Sequence, residues 1–164
     1  MTRAGLLKRL ALVTGVVYAA LTYVVLTELR PVLGDVPPLD FRFYGYRDLD
    51  PATPFPLARP GYGRVYTDVY HVLDYVFIAC LTGLICFCAD SLRPARLWWL
   101  VCLFAAGYCA ADLAENIGVR RLLGGEGSAV LVVRLSAVTQ IKFACLALAL
   151  GFLIWVWSGE RTRK

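Results

Sequence analysis

Charge is scarce in this chain. Asp, Glu, Lys and Arg make up 18% of the 164 residues, against 59% hydrophobic, and mean hydropathy is +0.63. A soluble domain of this length carries more charge, so a water-soluble globular module is excluded. Cysteine is missing from every connection. Cys80, Cys86, Cys88, Cys102, Cys109 and Cys145 all lie in apolar stretches, so no disulfide framework is implied. On a helix, Cys86 and Cys88 point to opposite sides and form neither a redox pair nor a chelate; they read as small apolar filler. A basic face is also missing. The net charge is +5 and the sequence pI about 9.0, but Lys and Arg are spread over both termini and all three connections, which argues against nucleic acid as a partner. Gly124-Gly125-Glu126-Gly127 lacks the spacing and the lysine of a phosphate loop and reads as a flexible turn. The basic start resembles a signal peptide, but no small-x-small site follows. The apolar run of about 17 residues also exceeds a signal core, so it reads as a retained signal anchor. There is no internal repeat and no low-complexity tract.

Long apolar runs are what the chain has. They cover 10–28, 69–89, 97–117 and 138–157. At about 1.5 Å per residue, about 20 residues cross a hydrocarbon core of about 30 Å. The expected fold is all-α: one integral membrane domain over 1–164, a four-helix transmembrane bundle running up-down-up-down. The short 90–96 connection forces spans two and three into an antiparallel pair. Lys and Arg counts nearly tie across the two sides, but the termini are basic apart from Glu160. That places both termini in the cytosol, with the 30–68 loop on the opposite side. Trp98 and Trp99 open span three, and Trp155 and Trp157 close span four, as an aromatic belt at one shared interface would.

The 30–68 connection is unusual in length and holds seven of the eight prolines. Its aromatic residues (Phe41, Phe43, Tyr44, Tyr46, Phe55, Tyr62, Tyr66) argue for order. It reads either as a surface loop anchored at the headgroups or as a lid over the bundle end on its side. Residues 129–135 either extend span four outward or lie as an interfacial helix.

Ionisable residues gather at one end of the spans. Glu28 ends the first, His71 and Asp74 begin the second, Asp112, Glu115 and Asn116 end the third, and Gln140 and Lys142 begin the fourth. An antiparallel bundle brings these ends into one leaflet, as a polar cavity mouth. By helical rise, Asp74 and Asp112 lie about 7 Å inside their spans and Lys142 about 6 Å. A Lys142 bridge to Asp74 or Asp112 is the simplest explanation, because each unpaired charge costs about 2.5–3.5 kcal/mol in a bilayer. A richer explanation uses helical faces. Asp68, His71 and Asp74 share one, and Tyr108, Asp112 and Glu115 (or Asn116) share another. Carboxylates beside a histidine are equipment for acid–base chemistry. The candidate catalytic residues are therefore His71, Asp74, Asp112 and Glu115, with Arg64, Asn116, Lys142 and Tyr108 as substrate-binding candidates. One His with three carboxylates also suits a divalent metal, although no ligand spacing is diagnostic. Arg64 reads as a lipid-phosphate ligand or a solvated interfacial arginine.

The series Asp40-Phe41-Arg42, Gly45-Tyr46, Gly63-Arg64-Val65-Tyr66, Asp74 and Asp112-Leu113-Ala114-Glu115-Asn116 resembles an uncharacterised family of small four-span membrane proteins, over most of the chain. That resemblance implies no activity. Acids and a His at one bundle end are similar in kind to the sterol-isomerase (EXPERA) superfamily, without a residue-by-residue match. Quinone reductases related to vitamin K epoxide reductase are excluded by the cysteine placement. Three functions remain open: an intramembrane enzyme on a lipid or isoprenoid-like substrate; a non-enzymatic subunit or scaffold, with a protein partner or a second copy, whose polar cluster locks packing; and proton or solute transport. Against transport, the acids stop partway and no continuous path is visible. The membrane lipid is the expected partner in every case.

Overall fold

The structure is a computed structural model that describes residues 2–33, 62–91, 98–126 and 128–161. Four helices account for nearly all of them. Helix α1 runs Arg3–Val24 and continues through a π-helical turn, Val25–Leu29, into Arg30–Leu33. Helix α2 starts with Tyr62–Arg64, passes through a second π-helical segment, Val65–Tyr70, and continues as His71–Ser91. Helix α3 spans Trp98–Leu123 and α4 spans Ala129–Arg161. Each carries a segment of 26 to 30 residues long and apolar enough to cross a membrane. Their outward faces expose large apolar side chains such as Leu12, Val16, Leu103, Val133 and Ile154, a surface suited to acyl chains. The chain is an all-α four-helix bundle of the multi-pass membrane type.

The helices are longer than their apolar runs, and local chemistry explains where they stop. Thr2 caps α1 by accepting from the Gly5 amide at 3.2 Å. Ser128 caps α4 in the same way, accepting from the Leu131 amide at 3.2 Å. Residues 129–135 therefore extend α4 as one continuous helix. Helix α3 ends in a Schellman motif. Gly125 takes φ +86°, its amide donates to Leu122 O at 3.3 Å, and the Glu126 amide donates to Arg121 O at 3.0 Å. Gly124 and Gly125, expected as part of a flexible turn, thus serve as a helix stop. The expected lid and most of its aromatics (34–61), like the turn at 92–97, lie outside the described residues.

Consecutive helices pack antiparallel: α1 on α2, α2 on α3, and α3 on α4 most extensively. Helices α1 and α4 hardly approach each other. Close contact in the α3–α4 seam depends on glycine: any Cβ on Gly118 would collide with Leu135, and one on Gly107 would lie 3.0 Å from Cys145 Sγ. Two apolar clusters fill the bundle. One joins Leu21, Leu29, Tyr66, Val119 and Leu135 at the end where α1 and α3 finish. The other joins Ile85, Ala89, Val101, Ala105 and Ala149 towards the termini. That second end also holds Trp98, Trp99, Trp155 and Trp157, and is tied by an Arg3–Asp90 ion pair, with the Arg3 guanidinium 5.3 Å from the Phe87 ring centre. None of the six cysteines forms a disulfide.

Candidate functional site

Between the two apolar clusters lies a buried polar layer. Helix α3 supplies most of it from one face. Tyr108, Ala111, Asp112, Glu115, Asn116 and Val119 recur at i, i+3, i+4, i+7, i+8 and i+11, and all are buried. Helix α2 adds His71 and Asp74, and α4 adds Thr139 and Lys142. The helices run past their expected ends, so the layer is deep. Counting from the starts of the candidate spans at Val65 and Ala129, and from the end at Leu123, Asp74 lies about 14 Å in, Lys142 about 20 Å and Asp112 about 16 Å. The acids therefore do not stand in an open mouth; Tyr66, Leu29, Val119 and Leu135 lie over them.

The layer divides in two. On the α3–α4 side, the Lys142 ammonium bonds Asp112 Oδ1 at 3.1 Å and also Glu115 Oε2. The Thr139 hydroxyl donates to Glu115 Oε1 and lies 3.0 Å from Leu135 O. The Phe143 ring centre lies 5.1 Å from Lys142 Nζ. Of the two bridges expected from the sequence, Lys142 makes the one to Asp112, and it adds Glu115. Glu115 was closer than anticipated because it and Asp112 are one helical turn apart, facing the same ammonium.

On the α2–α3 side the partners are thinner. Asn116 Nδ2 donates to Asp74 Oδ2 at 2.6 Å. Arg120 Nε donates to His71 Nδ1 over a long 3.4 Å, and Arg120 Nη2 bonds Thr67 O at 3.2 Å. His71 accepts at Nδ1, so its proton is on Nε2. That Nε2 and Asn116 Oδ1 are buried with no hydrogen-bond partner among the described residues. His71 and Asp74 therefore do not hydrogen-bond each other as an acid–base pair would; each is held by a different residue of α3. The His71 ring instead meets Tyr66 edge-on, with centroids 4.9 Å apart.

A cavity of about 200 Å³ opens beside this layer. Asp74, Tyr108, Asp112 and Lys142 line its polar side. Tyr18, Leu21 and Thr22 of α1 and Phe143 and Leu146 of α4 form facing walls. Because α1 and α4 hardly approach each other, the cavity lies where the bundle is least closed to the bilayer.

Several sequence candidates fall outside the layer. Arg64, Glu28 and Gln140 are exposed. Asp68 is also exposed and accepts from Thr67 Oγ1 at 2.9 Å. The π-helical turn over Val65–Tyr70 explains Asp68, because a wider turn breaks the i, i+3, i+6 register with His71 and Asp74. Two participants were missed. Thr139 sits one turn before Lys142, and Arg120 falls beyond the expected end of span three. Among the described residues, no three His, Cys, Asp or Glu side chains are grouped to hold a metal. The Lys142 ammonium sits where Asp112 and Glu115 would share a cation. The chain matches no family model, no curated protein and no solved structure.

Proposed function

We propose that this chain is a single-domain membrane protein that binds a lipid- or isoprenoid-like amphiphile in the cavity between α1 and α4, and performs acid–base chemistry on its polar end. The carrying observation is the cavity itself. Its walls are apolar and aromatic, and its inner side holds two carboxylates, a phenol and an ammonium. Ligand sites are mostly apolar with a few converging polar groups. The open seam between α1 and α4 would admit a chain from the bilayer. Asp74 is the group placed to exchange a proton, since one of its oxygens faces no donor among the described residues. Tyr108, Asp112 and Lys142 would orient the polar end. His71, Asn116 and Arg120 hold the α2 side of the site; Glu115 and Thr139 hold Lys142. The termini face the cytosol in this reading, and reagent labelling of single terminal cysteines in sealed vesicles checks that orientation.

Native mass spectrometry of gently purified protein tests the proposal. A discrete bound mass that disappears in Asp74→Asn supports it. Bare protein, or random bulk lipid that is indifferent to Asp74→Asn, overturns it.

A second reading, a scaffold locked by polar contacts and working through a protein partner or a second copy, draws on the α3–α4 side. There each charge has an opposite charge in contact. Such a layer fixes helix register without chemistry. The scaffold reading leaves the cavity beside Asp74 without a role.

A further inference from the structure

The charge of the polar layer carries the reading above one step further, to the class of amphiphile. Three carboxylates, those of Asp74, Asp112 and Glu115, are buried in it with one ammonium, that of Lys142. His71 is uncharged by its bonding pattern, and Arg120 is exposed and engaged with His71 and Thr67. Lys142 is drawn to Asp112 and Glu115, which leaves Asp74 with no cation in contact among the described residues. Asp74 is 94% buried, lines the cavity, and accepts a single hydrogen bond among the described residues, from Asn116 to Oδ2. Its Oδ1 has no donor among the described residues.

The bundle already shows how it holds an ammonium. Lys142 sits between two carboxylates and near the Phe143 ring. The cavity offers a similar set: the Asp74 carboxylate, Asp112 beyond it, and the rings of Tyr18, Tyr70 and Phe77. Aromatic faces attract cations, most strongly away from water. An ammonium carries three donors and no acceptor, which suits the acceptor that Asp74 presents to the cavity. At about 200 Å³ the cavity exceeds the roughly 150 Å³ that accepts a benzene ring, but it is too small for a whole lipid. It fits a headgroup, with the chain leaving through the α1–α4 seam.

We infer that the cavity takes a cationic amphiphile: a long-chain amine, protonated, with its ammonium on Asp74 and its hydrocarbon between α1 and α4. This inference rests on the proposed amphiphile site. The test is a titration of detergent-purified full-length protein with a long-chain primary alkylamine and with the alcohol of equal chain length. Wild type binds the amine at least about tenfold more tightly than the alcohol. Asp74→Asn removes that preference, and Thr22→Trp, which fills the cavity from the rim of α1 without changing charge, weakens both ligands. Equal affinity for amine and alcohol overturns the cation but leaves the amphiphile site standing. So does an amine preference that survives Asp74→Asn. No binding of either, or binding indifferent to Thr22→Trp, overturns the site and the cation together. If Asp74→Asn does not fold, the wild-type ratio and the Thr22→Trp result still decide.

Discussion

The two sides of the polar layer contain similar residues in different bonding states. Between α3 and α4, the charges of Asp112, Glu115 and Lys142 meet each other, and Thr139 completes Glu115. Between α2 and α3, among the described residues, Asp74 has one neutral partner, and His71 and Asn116 each keep a buried polar atom unpaired. A satisfied buried network rigidifies a bundle, whereas an unsatisfied one is costly unless something else completes it. Intramembrane charge by itself does not separate structure from function. Here the bonding differs along the cavity wall: Asp112 and Lys142 reach the cavity paired with each other, whereas Asp74 reaches it with one neutral hydrogen bond among the described residues.

Lys142→Met breaks that comparison hardest. It leaves the Asp112 and Glu115 carboxylates buried side by side, and removing one partner of a buried ion pair costs about 3–5 kcal/mol. We expect a variant that is unfolded or strongly destabilised in thermal unfolding followed in detergent. Adding Asp112→Asn and Glu115→Gln to Lys142→Met makes the α3–α4 side neutral and recovers most of the lost stability. A triple variant no more stable than the single one would show that the ion pairs do not set the cost. Next in size is Glu115→Gln alone. Lys142 keeps Asp112, but the Lys142–Glu115 charge pair is lost, for about 1–3 kcal/mol. The same melting experiment reads it. Asp74→Asn changes stability less than Glu115→Gln, because Asp74 has no cation in contact among the described residues; its larger effect is on ligand binding.

Much of this contrast was open to the sequence, and the limit was phase. Four apolar runs of about 20 residues determine helix number and the antiparallel order, since length and hydropathy alone decide which segments cross a membrane. That order already puts His71, Asp74, Asp112, Glu115 and Lys142 at one end. Hydropathy does not mark helix ends that lie beyond the apolar run. Helix α3 passes Arg120 before its glycine stop, and α4 starts at Ser128's cap, nine residues ahead of the expected 138. The polar layer is consequently deeper than expected, and Arg120 belongs to the bundle. Nor does periodicity reveal a π-helical turn, which is why Asp68 was placed on the face of His71 and Asp74. The choice of Lys142's partners depends on the rotation of α3 against α4, and that is set by Gly118 against Leu135.

The smallest expected effect sharpens the comparison most, because its sign can differ between the two sides. His71→Phe keeps an aromatic ring among Tyr66, Tyr70 and Tyr75. It removes a buried Nε2–H that has no acceptor among the described residues, which lowers the cost of folding. It also removes the acceptor of a long bond from an exposed arginine, and that guanidinium keeps Thr67 O and water. The two changes nearly cancel, so we expect stability within about 1 kcal/mol of wild type, on either side. Thr139→Val, the comparable isosteric change on the α3–α4 side, strips a donor from the buried Glu115 and destabilises by about 1–3 kcal/mol. Parallel melting curves for the two variants decide it. If His71→Phe destabilises as much as Thr139→Val, then His71 Nε2 has an acceptor in the folded protein, and the α2 side is as complete as the α4 side.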